Sequence, residues 1–292
     1  MTITFPERSG RPAPPQVLQL REYTATRFAD RPDAAGVRVS ELDLNGVPAL
    51  EFEPPDPRLT ILYFHGGGYR GGSPRGLSPY LSGLASLTST RVVAVAYRLA
   101  PENPYPAALN DALTAWTSLR TVDPSRELVV AGDSAGGGLA TSLMVTLRTR
   151  GESLPAGAVL LCPWVDLRLV AASFEECAED DQIYSLELAR DATDMYLQGH
   201  AADDPRLSTV LADWTGMPPL LIQASSHEVL RDDARTLATA AIASGVRVWF
   251  SEFPGLRHVW QNDYPLTPES VVAIEQVRAF LENALDRSAS AA

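Results

Sequence analysis

Gly132-Asp133-Ser134-Ala135-Gly136 lies between a short apolar run at 127–131 and a helix-compatible stretch at 135–150 that stops at Gly151. The pentapeptide matches Gly-x-Ser-x-Gly. At a strand-to-helix junction this is what a nucleophile elbow requires: the two glycines permit a tight turn against neighbouring elements, and the serine hydroxyl stands at a helix N-terminus. A glycine-rich turn that binds nothing, or a phosphate, is the competing reading, and the junction favours the nucleophile.

Outward from this turn the chain alternates. Runs rich in β-branched and aromatic residues at 59–64, 91–97, 158–162, 220–224 and 247–253 read as strands buried on both faces of a sheet. Helical patterns at 78–87, 106–119, 231–244 and 268–284 separate them. Before them, 37–44 and 47–52 flank Asn45-Gly46 and read as an antiparallel hairpin. Val17, Leu18, Leu20, Tyr23, Ala25 and Phe28 recur at helical intervals and predict one amphipathic helix. The pattern is that of an α/β fold with a mostly parallel central sheet flanked by helices. Residues 173–215 interrupt it with acidic clusters, a helix-like 186–197 and no strand. The expected organisation is one domain over 1–292, with an insertion across the C-terminal edge of the sheet.

His65-Gly66-Gly67-Gly68 follows the strand that ends at Phe64. An oxyanion needs amide donors at about 2.7–3.1 Å, and consecutive glycines let the backbone turn its N–H groups inward. Gly66 and Gly67, joined by the Ala135 amide after the serine, are the expected donors, with His65 anchoring the loop.

A serine hydroxyl needs a base, and in α/β-hydrolases the order is Ser, acid, His. Of the four histidines, only His258 follows the last strand; His200 falls in the insertion and His227 follows the strand before it. The acid belongs after the strand at 220–224, where Glu228, Asp232 and Asp233 stand. Asp232 and Asp233 fall where a helix begins and where acidic residues suit the dipole without any catalytic role. Glu228 is the better placed, with Asp232 the alternative.

Composition narrows the chemistry further. The 24 basic residues are all arginine, which excludes Schiff-base, Walker-loop and lysine-base chemistry. Four histidines and two cysteines leave little material for a zinc site, so no metal and no organic cofactor are expected. Cys162 and Cys177 read as unpaired thiols. The net charge of −12 argues against nucleic acid and anionic membrane partners. No run approaches about 18 apolar residues and residues 1–15 hold no signal-like core, so the expected location is cytoplasmic.

With HGGGY at 65–69, YRLAPE at 97–102, PAALND at 106–111, GDSAGG at 132–137, CPW at 162–164, EVLRDD at 228–233 and HVW at 258–260, the chain resembles the hormone-sensitive-lipase-like bacterial carboxylesterases of the α/β-hydrolase fold. It is most similar to the subgroup that includes monoterpene ε-lactone hydrolases. The resemblance implies hydrolysis of small, short-chain esters through an acyl-enzyme, with a lactone hydrolase and a non-catalytic small-molecule binder as alternatives. It sets Glu228 where the family acid stands. It also implies a helical cap from about 1–35 and 173–215, a possible homodimer, and a pocket lined by Tyr69, Trp164, Tyr196, Trp214, Val229 and Trp260, each equally explicable as packing. Tyr97, Arg98 and Glu102 are expected to brace loops.

Overall fold

The computed structural model describes residues 5–285; the ends of the expected 1–292 domain and 1–35 cap segment lie partly outside that range. Eight strands form one sheet: β1 (Arg38–Asp43), β2 (Pro48–Glu53), β3 (Thr60–Phe64), β4 (Arg91–Val95), β5 (Leu128–Asp133), β6 (Ala158–Leu161), β7 (Leu220–Ser225) and β8 (Val248–Phe253). Their order is β1-β2-β4-β3-β5-β6-β7-β8. The β1–β2 hairpin joins β4 antiparallel, and β4 through β8 run parallel. The helices are α1 (Pro15–Thr26), α2 (Ser78–Thr88), α3 (Ala107–Val122), α4 (Ala135–Thr149), α5 (Ser173–Glu176), α6 (Leu186–Leu197), α7 (Arg231–Ala243) and α8 (Pro268–Leu285).

Side chains that alternate along each strand build two apolar layers. Leu62, Phe64, Val93, Val95, Val130 and Leu160 pack against α3, α4 and α7. Ile61, Tyr63, Val92, Ala94, Val129 and Leu161 pack against α2 and α8. Burial on both faces explains the continuous apolar runs.

Two local expectations change. The strand predicted at 91–97 ends at Val95: Ala96 still gives its amide to Pro48 O of β2 at 2.8 Å, but Tyr97 leaves the sheet to donate its hydroxyl to His65 O at 2.7 Å. The helix α1 does not lay an apolar face on the core. Only Val17 and Thr24 are buried along it, while Leu18 and Tyr23 are 53% and 63% exposed. It is held by polar contacts instead: Arg21 donates to Arg70 O and Ala100 O and pairs with Glu102.

The parallel register brings the strand ends to one edge. Phe64 lies beside Gly132, Asp133 beside Leu161, and Ser225 beside Phe253. The loops after β3, β5, β7 and β8 therefore converge. Over them lies α6, whose Ser185 side chain caps its N-terminus by accepting from the Leu188 amide at 3.2 Å. Arg70, just past the glycine loop, pairs with Asp191 of α6 at 2.5 Å and donates to Leu188 O. No helix among the described residues is long and apolar enough to cross a membrane.

Candidate active site

Ser134 is the single residue between β5 and α4, with φ +52° and ψ −122°. A side chain is strained there, and the surroundings hold it. The Ser134 amide donates to Leu161 O at 2.9 Å and its carbonyl accepts from the Trp164 amide at 3.0 Å. A Cβ on Gly132 would come within 2.3 Å of Gly136 O, and one on Gly136 within 2.0 Å of Phe64 O. Both glycines are thus required by close backbone approach.

The imidazole of His258 reaches the turn from the loop after β8. Its Nε2 is 2.9 Å from Ser134 Oγ, and its Nδ1 is 2.5 Å from Glu228 Oε2. Glu228 is fully buried, and its Oε1 accepts from the Ser225 amide at 2.7 Å. A carboxylate at Nδ1 fixes the proton on that nitrogen and leaves Nε2 as the acceptor facing the hydroxyl. Burial lowers the His258 pKa, but the hydrogen bond and charge of Glu228 outweigh it and hold the imidazole above its ordinary value. Asp232 points elsewhere, to Arg231, Arg235 and the Ser173 amide.

The glycine loop departs from expectation at one residue. The Gly66 amide donates to Asp133 Oδ1 at 2.9 Å and is not available to an oxyanion. Asp133 Oδ1 also accepts from Tyr63 OH at 2.8 Å, so the residue before the serine ties the glycine loop to the elbow. The amides of Gly67, Gly68 and Ala135 have no hydrogen-bond partner among the described residues. Gly67 and Gly68 take φ +121° and +61°, which turns their amides away from the usual strand direction. His65 is an anchor: its Nδ1 donates to Gly66 O at 2.8 Å, its ring stacks on Tyr97 at 4.3 Å, and burial pushes its pKa down to about 4.

The family model described as the alpha/beta hydrolase fold matches residues 61–262. An acetyl-hydrolase of Streptomyces hygroscopicus is 42% identical over 226 residues, covering 77% of this chain and 76% of that protein. The carboxylesterase NlhH of Mycobacterium tuberculosis is 33% identical over 263 residues, 83% of this chain and 80% of its own. The crystal structure of an esterase from the bacterial hormone-sensitive lipase family superposes with a TM-score of 0.89 at 38% identity, covering 94% of this chain and 93% of that one. The chain belongs to the hormone-sensitive-lipase-like carboxylesterases of the α/β-hydrolase fold.

In this esterase a cavity of about 380 Å³ opens beside Ser134 and His258. Its walls come from α1 (Val17, Leu20, Tyr23), the glycine loop, Ile183 and Tyr184 just before α6, and Leu188 in its first turn. None of the six expected wall residues lies on it. Tyr69 and Tyr196 stack on each other with centroids 3.8 Å apart, and Trp164 packs beside Tyr69 at 6.0 Å. Trp214 is fully buried and donates to Thr209 O, Val229 gives its amide to Asp181, and Trp260 packs on Phe253. These side chains form the support under the cavity because their strands and loops turn them inward. Wall residues sit instead on α1, where the helical spacing of 17–28 is the available signal, and on the segment that enters α6, where Tyr184 stacks on His258 at 5.9 Å without any motif to mark it.

The remaining candidates fall away from the chemistry. Tyr97, Arg98 and Glu102 brace loops, Arg98 by pairing with Glu7 and Asp111. His200 pairs with Asp204, and His227 is exposed beside Ser226. Cys162, Glu228 and His258 bring possible metal-ligand atoms within 4.8 Å of one another. The donor set does not fit a metal: Glu228 and His258 are engaged with each other, and burial followed by the charge of Glu228 drives the Cys162 thiol pKa well up, keeping it protonated. Cys162 and Cys177 are both free and buried.

Proposed function

We propose that Ser134 is the nucleophile, His258 the general base and acid, and Glu228 the residue that orients His258. The observation that carries this reading is the continuous hydrogen-bonded chain from Glu228 through His258 to Ser134, ending at the cavity. Ser134 Oγ attacks the ester carbonyl carbon while its proton passes to His258 Nε2. The oxyanion is received by the Gly67, Gly68 and Ala135 amides at the positive end of α4. The alkoxide then leaves with the proton from His258. Water attacks the acyl-enzyme with His258 again as base, and the acid departs as the proton returns to Ser134.

The substrates are esters with short, small apolar acyl groups. A cavity of about 380 Å³ walled by Val17, Leu20, Leu77, Ile183 and Leu188 suits them, and the name of the acetyl-hydrolase relative agrees. In this reading α1 and the 173–215 segment act as a cap on a single α/β-hydrolase domain, joined to the glycine loop through Arg21 and Arg70. A panel of p-nitrophenyl esters from acetate to decanoate, with an ε-lactone, tests it. Turnover peaking at the short esters and abolished in Ser134→Ala is expected; normal turnover in Ser134→Ala would remove the mechanism.

A further inference from the structure

Three arginines line the cavity beside Ser134, and two of them are neutralised. Arg70 pairs with Asp191, and Arg257 is held by Asp263 through two hydrogen bonds. The Arg27 guanidinium makes no hydrogen bond or ion pair among the described residues, and its Nε is buried without a partner. Its Cζ lies 4.6 Å from the Phe28 ring, but Arg31 shares that ring at 4.1 Å, so the contact brings a second cation and no negative charge. The carboxylates that act on Arg27 through space are Asp133 and, more weakly, Asp263, and neither is hydrogen-bonded to it: Asp133 Oδ1 accepts from Tyr63 and Gly66, and Asp263 is held by Arg257.

A half-buried guanidinium with no carboxylate hydrogen-bonded to it is under-satisfied, and a carboxylate offers it a charge-assisted, two-pronged partner. We propose that this esterase selects esters whose acyl or alcohol part carries a carboxylate, and that the Arg27 guanidinium recognises it. The proposal rests on the cavity being the ester pocket and adds a charge requirement to it. The apolar walls take the body of the substrate, and Arg27 takes its anionic end.

Two pairs of esters matched in shape test this on both sides of the scissile bond: monoethyl succinate against ethyl 4-methylpentanoate, and acetoxyacetate against isobutyl acetate. The quantity read is the ratio of kcat/KM, charged over neutral, in the unmodified protein, in Arg27→Met and in Arg27→Lys. The ratio is expected to favour the charged member in at least one pair, to fall about tenfold or more in Arg27→Met through KM, and to be intermediate in Arg27→Lys. Because it is a ratio, partial loss of folded protein cancels. A ratio unchanged by Arg27→Met in both pairs overturns the proposal while leaving ester hydrolysis intact. Absence of turnover of all four esters by the unmodified protein removes the ester reading, and the proposal with it.

Discussion

Asp133 accepts the Gly66 amide at 2.9 Å, so the residue before the serine fixes the loop that faces the serine. The same oxygen takes the Tyr63 hydroxyl. Asp133→Ala leaves two buried donors unsatisfied, at a cost of about 2–6 kcal/mol in all. It is expected to lower both the melting temperature and kcat toward p-nitrophenyl butyrate. Asp133→Asn keeps an oxygen that can accept both hydrogen bonds and should retain most of the activity. Equal losses in the two variants, measured by thermal melting and steady-state kinetics, would contradict the role given to the acceptor.

Glu228 and Asp232 make opposite predictions. Glu228 has no solvent exposure and both of its oxygens are used, one by His258 and one by the Ser225 amide. Glu228→Gln keeps the shape but removes the charge that stabilises the imidazolium and fixes its tautomer. A fall in kcat of about 10³- to 10⁴-fold is expected. Asp232→Asn disturbs only Arg231, Arg235 and the Ser173 amide, and kcat should change by no more than a few-fold. A comparable loss in both, or a loss only in Asp232→Asn, would move the acid to Asp232.

The pH profile follows from the same contact. The base must be neutral, and Glu228 raises the His258 pKa above the ordinary 6.5 despite burial. His258 therefore stays protonated to a higher pH than a free imidazole, and kcat/KM should rise with pH through an inflection above 6.5 and be lost below it. In Glu228→Gln the support is gone and burial remains, so the residual activity should show its inflection at lower pH. An inflection that stays where it was in Glu228→Gln would mean that another group controls the acid limb.

The strands, the helices and the chain Ser134–His258–Glu228 were legible because each rests on local signals. Apolar runs bounded by turns mark buried strands, Gly132 and Gly136 mark a turn with no room for Cβ atoms, and His258 alone of the histidines follows β8. The cavity wall was not legible. Trp164 belongs to a motif and Tyr196 and Trp214 fall in the insertion, but whether a large aromatic side chain faces a cavity or its support depends on the tertiary direction of its loop. The helix α1 shows the same limit: its apolar spacing was visible, yet the face it presents looks into the cavity and solvent because Arg21 and its partners hold it there. Gly66 departs from the expected oxyanion donors because nothing in three consecutive glycines says which amide a distant carboxylate takes.

The difference between wall and support gives a final prediction. Ile183 lines the cavity and is 46% exposed, so Ile183→Trp adds bulk where there is open space and should change stability by no more than about 0.5 kcal/mol. By narrowing the site it should lower the kcat/KM ratio of p-nitrophenyl hexanoate to acetate about tenfold, since each excluded methylene is worth roughly 1–3 kcal/mol. Trp214 has the opposite signature. It is fully buried away from the cavity, and Trp214→Ala should cost about 3–5 kcal/mol of stability. The folded fraction of that variant should keep the hexanoate-to-acetate ratio of the unmodified protein, because no cavity-facing atom has been removed. Measuring the ratio and the melting temperature for both variants separates the two roles: a shift of the ratio in Trp214→Ala without one in Ile183→Trp would return the wall to the buried aromatic residues and take it away from the segment that enters α6.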